Sequence, residues 1–201
     1  MKSLVLSIFV ITCMMAANVA VGQQAKENAH WGYSGIVQGG VLGGSSTVTY
    51  TVQTVQGIRK NNWFTGIGVG YDHYGMPGIP IVLHGQKAFG QQKNRVFTYA
   101  QAGLQVPVKT GDWDDKSWNG RKLYDLETGY VGELGGGYLI GVGKTKKTAL
   151  IFSAGYSYKF CKTTAYSYGW NDFPPYNDVI YSTEKQTYHY RRIAIKAGFA
   201  F

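Results

Sequence analysis

The chain has 201 residues, 28 of them Gly and 16 Tyr, and a formal net charge of +9; that length suits one domain. Beyond its first two dozen residues no apolar run approaches the roughly 18 residues of a spanning helix, which excludes a helical membrane protein. The basic residues are scattered over turns and strand interiors instead of forming one stripe, so no nucleic-acid partner is expected.

Residues 1–22 have the pattern of an export signal: Lys2 as the positive start, an apolar core over 4–15, and Ala20-Val21-Gly22 as a small-residue cleavage site. Lys2 is the only charged residue there, so its removal takes the net charge from +9 to +8. Thr12 precedes Cys13 where a lipidation signal usually carries Ala or Gly, and lipidation is not expected. The exported chain keeps one cysteine, Cys161, and one cysteine cannot form an internal disulfide. Residues 23–30 are polar and read as a flexible entry, with a single domain over 31–201.

From Trp31 onward apolar and polar residues alternate, the period of a strand with two unlike faces. Eight strands are predicted. The first, 31–41, sets Tyr33, Val37 and Val41 against Ser34, Gln38 and Gly40. In the second, 47–59, Val48, Tyr50, Val52 and Ile58 oppose Thr49, Thr51, Gln53 and Gly57. The third, 63–71, is the most regular, with Trp63, Thr65, Ile67, Val69 and Tyr71 opposing Phe64, Gly66, Gly68 and Gly70. An aromatic at each end of an apolar row suits the two interfaces of a bilayer.

The fourth strand, 79–89, turns His84 and Gln86 away from Ile79, Ile81 and Leu83. The fifth, 95–106, sets Val96, Ala100, Ala102 and Leu104 against Gln101, Gly103 and Gln105. In the sixth, 128–142, Leu134, Tyr138 and Ile140 oppose Glu133, Gly135 and Gly137. The seventh, 148–160, carries Leu150, Phe152, Ala154, Tyr156, Tyr158 and Phe160 opposite Ser153, Gly155, Ser157 and Lys159. The eighth starts near Gln186 and ends with Ile193, Ile195, Ala197, Phe199 and Phe201 against Arg192, Ala194, Lys196, Gly198 and Ala200. Sliding that register by one would place Arg192 and Lys196 in hydrocarbon, at roughly 2–4 kcal/mol for a cation near the midplane.

Alternate connections are short and basic: 60–62, 90–94 and 143–147. The others are short at 42–46 and 72–78 and long at 107–127 and 161–185. An even strand count puts both termini on the side of the tight turns, and short turns opposite longer loops are the asymmetry of membrane barrels. The expected fold is therefore all-β, an eight-stranded antiparallel up-and-down transmembrane β-barrel. A soluble eight-stranded calyx is the alternative the alternation alone leaves open.

Trp31-Gly32-Tyr33-Ser34-Gly35, Gly57-Ile58-Arg59, the run from Gly66 to Asp72 and the last strand resemble the eight-stranded outer-membrane β-barrel domain of Bacteroidetes-type bacteria. The ending on Phe199 and Phe201 resembles the terminal strand that barrel-assembly machinery reads, so these two are the expected assembly signal. The resemblance covers nearly all of 31–201 and is architectural. It implies an outer-membrane location, contact with outer-membrane lipid and lipopolysaccharide, and recognition by the assembly machinery. It implies no catalytic residue.

Eight strands enclose a lumen that side chains just fill. The predicted inward faces hold Glu133, Lys159, Arg192, Lys196 and His84, read as a lumenal charge network, because a buried charge needs a partner. Glu133 is expected to pair with Arg192, Lys196 or Lys159. His73, His84 and His189 sit in no recognisable nucleophile motif, and four histidines in all give no metal spacing, so no cofactor or metal is expected. The 107–127 connection carries Asp112, Trp113, Asp114, Asp115 and Trp118, without the spaced ligands and turn glycine of a calcium loop. Trp113 and Trp118, with Tyr168, Trp170, Phe173 and Tyr176 of the 161–185 connection, either contact a surface protein or glycan or pack as strand extensions. The expected protein is a monomeric, non-enzymatic barrel of the envelope. A lipid A-modifying enzyme and a small-solute pore are the alternatives.

Overall fold

The alternation closes on itself. In the computed structural model the described residues are 31–45, 47–90, 94–108, 114–117, 120–142, 148–170 and 178–201, with side chains described over 31–45, 47–90, 94–108, 125–142, 148–166 and 182–201. The proposed signal and entry segments lie outside them. The strands are β1 (Gly32–Gly44), β2 (Val48–Lys60), β3 (Trp63–Asp72), β4 (Gly78–Phe89), β5 (Asn94–Pro107), β6 (Asp114–Ser117), β7 (Gly120–Val142), β8 (Thr148–Trp170) and β9 (Asp178–Ala200). All pairings are antiparallel; β1 pairs with β9 and β5 with β7, so the sheet has no open edge around the ring. The four residues of β6 pair only with the start of β7 and add no stave. The barrel therefore has eight.

Closure brings the two ends of the chain side by side, with Ile36 opposite Ala200 and Val37 opposite Phe199. The terminal residue completes the seam: Gly35 N donates to Phe201 O at 2.8 Å and Phe201 N to Gly35 O at 2.9 Å.

Three staves are far longer than expected. β7, β8 and β9 each run 23 residues, against 10 to 14 for the other five. About 9–11 residues suffice to cross a bilayer as a tilted strand. The 107–127 and 161–185 connections are thus in large part strand, and the predicted starts at 128 and 186 and end at 160 are corrected to 120, 178 and 170. Beyond the register shift between Glu127 and Tyr130, β7 and β8 pair from Glu127–Lys162 out to Arg121–Tyr168. There Leu126 is buried while Asp125, Glu127 and Lys162 are exposed, so the outward face is polar and ladder hydrogen bonds sustain the strands beyond the apolar belt.

The barrel is inverted relative to a water-soluble protein. Its exterior is an apolar belt with Leu83 69%, Leu134 67%, Ile193 62%, Ile67 59% and Ile195 58% exposed, while Lys159, Arg192, Lys196, Glu133 and Asp72 are buried. Aromatics bound the belt at both ends. Trp31, Trp63 and Phe89 mark the turn end, where Lys60 Nζ lies 5.1 Å from the Trp31 ring and Lys87 Nζ 4.9 Å from that of Trp63. Tyr50, Tyr71, Tyr130, Tyr158 and Phe160 mark the loop end. Exposed apolar area on this scale is stable only where the surrounding medium is itself hydrocarbon. The barrel spans a membrane.

Candidate functional site: a layered lumen

The inward residues sort into layers along the barrel axis. Nearest the turns is an apolar seal of Ile36, Val55, Phe64, Ala88, Phe97, Leu139, Ile151 and Ala200. Glycines on neighbouring strands make room for the rings: a Cβ at Gly137, the ladder partner of Phe97, would come within 2.5 Å of Phe97 Cζ, and one at Gly155, one strand further, within 2.5 Å of Tyr99 Oη. Large and small residues on adjacent strands therefore interlock around the inner wall.

Above the seal is a polar cluster. Lys196 Nζ donates to both Glu133 oxygens, at 2.6 and 2.8 Å, and Tyr99 Oη donates to Glu133 Oε1 at 2.6 Å. Glutamines surround the pair: Gln53 Nε2 donates to Gln101 Oε1 at 2.9 Å, and Gln38 Nε2 to Gln53 Oε1 at 3.1 Å. His84 stacks on Tyr99 with centroids 5.7 Å apart, and its Nδ1 lies 3.3 Å from Gln101 Oε1.

A second cluster sits one layer toward the loops. Asp72 Oδ2 lies 2.5 Å from Arg192 Nη1 and 3.5 Å from Lys159 Nζ. Arg192 Nη2 also donates to Ser157 Oγ at 2.8 Å. A cavity of about 20 Å³ lies between the clusters, reached by Asp72, Glu133, Arg192 and Lys196. That volume is close to the minimum that holds one water molecule.

The connection after β3 folds inward and caps this layer. Tyr74 and Met76 are each 2% exposed, and Gly75 between them takes φ +64, a left-handed conformation open to glycine. Lys159 Nζ donates to the carbonyls of Tyr74, at 3.0 Å, and Met76, at 2.5 Å, while Tyr74 N donates to Asp72 Oδ1 at 2.8 Å. Tyr74 meets Tyr190 edge-on, and Met76 packs with Leu126 and Cys161. A buried ammonium with one carboxylate and two carbonyls has its donors used, which is what makes its burial tolerable.

The structure thus brings together Glu133 and Lys196 but separates them from Lys159 and Arg192, whose carboxylate is Asp72. One network becomes two. Asp72, which the sequence places in the 72–78 connection, is instead the last residue of β3, paired with Gly78, on the inward set with Gly68 and Gly70. Its even numbering relative to Gly66, Gly68 and Gly70 was the available signal. His84 joins the first cluster through Gln101 and carries no ion pair among the described residues. Tyr158 Oη contacts His189 Nδ1 at 2.6 Å and Tyr71 Oη contacts His73 Nδ1 at 3.2 Å, so each outer histidine is held by a tyrosine. Among the described residues no group of His, Cys, Asp and Glu is placed to hold a metal. Tyr168 and Trp170 fall within β8, but their side chains, and Trp113, Trp118, Phe173 and Tyr176 altogether, lie outside the described residues.

No protein-family model and no curated protein sequence matches the chain. Two solved structures resemble it. The N-terminal β-barrel domain of Pseudomonas aeruginosa OprF superposes with a TM-score of 0.47 at 13% identity, over 84% of this chain and 97% of that one. The outer membrane protein AlkL, solved by solid-state NMR in DMPC lipid bilayers, superposes with a TM-score of 0.43 at 13% identity, over 89% and 93% of the two chains.

Proposed function

We propose that this chain is an integral outer-membrane barrel with a non-enzymatic role in the envelope, offering a surface for interaction at its loop end. The observation that carries the reading is the inverted distribution of polarity: an apolar belt between two aromatic girdles around a lumen packed with side chains. The export signal read in residues 1–22 and the apolar, lipid-facing row of β9 support the outer membrane as its place. The tall β7–β8–β9 sheet lifts a wall of backbone and side chains beyond the girdle, where a protein or glycan could be met. Lipid and lipopolysaccharide contact the belt, and the assembly machinery reads the last strand.

The non-enzymatic reading rests on the lumen packed with side chains and not on the histidines. The Nδ1 atoms of His73 and His189 contact tyrosines and that of His84 a glutamine, which leaves each Nε2 free to act as a base, but no described serine is hydrogen-bonded to any of the three. Fractionation of cells followed by lipid A mass spectrometry tests both parts. The expected result is a protein found wholly in the outer membrane and an acyl pattern identical with and without it. An acyl change that disappears in His189→Ala would establish the enzymatic alternative, and recovery in the periplasmic supernatant would establish a soluble calyx.

A further inference from the structure

Outside the apolar seal, at the turn end, two cations are left over. Arg59 on β2 shares the inward set with Gln53 and Val55, and Arg95 on β5 shares it with Phe97 and Tyr99. The Arg59 guanidinium carbon lies 5.7 Å from the Phe64 ring centroid. Arg95 Nη1 donates to Asn62 Oδ1 at 3.4 Å, a long bond. Asn62 itself ties two turns together, since its Nδ2 donates to Gly90 O and its carbonyl accepts from Ala88 N. Arg59 pairs with Phe64 across the tight turn that carries Asn62, so both guanidiniums converge on that one turn.

Both are half-buried, and each has a nitrogen shut from solvent without a hydrogen-bond partner, Arg59 Nη2 and Arg95 Nε. The two buried carboxylates among the described residues are engaged elsewhere, Asp72 by Arg192 and Lys159 and Glu133 by Lys196. The described lumen therefore holds five cations against two carboxylates, and the excess is concentrated at one mouth. A buried guanidinium N–H with no acceptor is costly, and two like charges held together raise that cost further. An anion received between them removes both penalties.

We infer that Arg59 and Arg95 form a binding site for a phosphate-type oxyanion at the turn-end mouth of the barrel. Each guanidinium is a planar fork of donors suited to paired acceptor oxygens. Two forks from different strands call for an acceptor with oxygens in more than one plane, which a tetrahedral phosphate has and a carboxylate lacks. The phosphate could be free in the aqueous compartment or belong to a lipid headgroup, since Lys60 and Lys87 lie at headgroup depth on the outer face of the same end.

The test is titration calorimetry on the full exported chain, refolded in dodecyl maltoside without phosphate. Inorganic phosphate is titrated in one arm and dihexanoyl-phosphatidylglycerol in the other. One site per chain is expected, weakened tenfold or more in Arg59→Gln and in Arg95→Gln and unchanged in Lys87→Gln. Loss of binding in the arginine variants seen only with the lipid would keep the site and assign its source to the headgroup. Absence of binding in both arms, or wild-type affinity in both arginine variants, would overturn it. Heat-modifiable gel mobility reports folding; if a Gln variant fails to fold, Arg→Lys at that position replaces it, with weakened binding again expected and wild-type affinity overturning the paired-fork geometry.

Discussion

Asp72 shows how one side chain can hold two cations and a loop. It faces Arg192 and Lys159, and its other oxygen accepts from Tyr74 N. Removing one partner of a buried ion pair costs about 3–5 kcal/mol, mostly because the remaining charge is stranded. Asp72→Asn strands two, Glu133→Gln strands one, and Tyr99→Phe removes only a hydrogen bond to a charged group, worth about 1.5–3 kcal/mol. Urea unfolding of the refolded barrel should therefore rank the losses as Asp72→Asn, then Glu133→Gln, then Tyr99→Phe. A Tyr99→Phe variant less stable than Asp72→Asn would contradict the geometry of both clusters.

At the scale of the strand, β9 carries two separate constraints. Its middle must suit lipid: Ile195 is 58% exposed and pairs with Ala154 and Val41 in the belt. Ile195→Lys should cost about 2–4 kcal/mol for refolding into bilayers. Thr187→Lys, on the same strand beyond the belt, should stay within about 0.5 kcal/mol of wild type. Its end must close the ring. Deleting Phe201 removes both hydrogen bonds to Gly35 and the acceptor of Ser34 Oγ, so the heat-modifiable species should fall while export continues. A normal yield of that species would sink the assignment of Phe201 to assembly.

For the whole molecule the decisive feature is the filled lumen. The seal of Phe64, Phe97, Leu139 and Ile151 at one end and the Tyr74–Met76 cap at the other leave a cavity of about 20 Å³ between the charge clusters. An ion entering the seal would shed its hydration with no polar atom to replace it. Planar-bilayer recordings should accordingly show no discrete conductance steps for the wild type, and Phe64→Ala with Phe97→Ala should introduce them. Steps of nanosiemens size in the wild type would instead favour the small-solute pore.

The number of staves and the facing of almost every residue were legible in the chain, because a strand's side chains alternate with period two and a one-residue slip reverses the whole row. Trp63, Ile67 and Tyr71 cannot face inward without turning Gly66, Gly68 and Gly70 to lipid. Period two says which side a residue faces but not its height or its neighbour across the lumen, so Glu133 could equally have met Lys159, Arg192 or Lys196. Strand tilt and register place Lys196 at its level and raise Lys159 and Arg192 to that of Asp72. The same limit hid the outer halves of β7, β8 and β9: where neither face meets hydrocarbon the alternation fades, and the strands are sustained by ladder hydrogen bonds to each other. Tyr74 and Met76 read locally as a surface connection. Only closure of the barrel supplies the mouth they fill and the ammonium of Lys159 that holds their carbonyls.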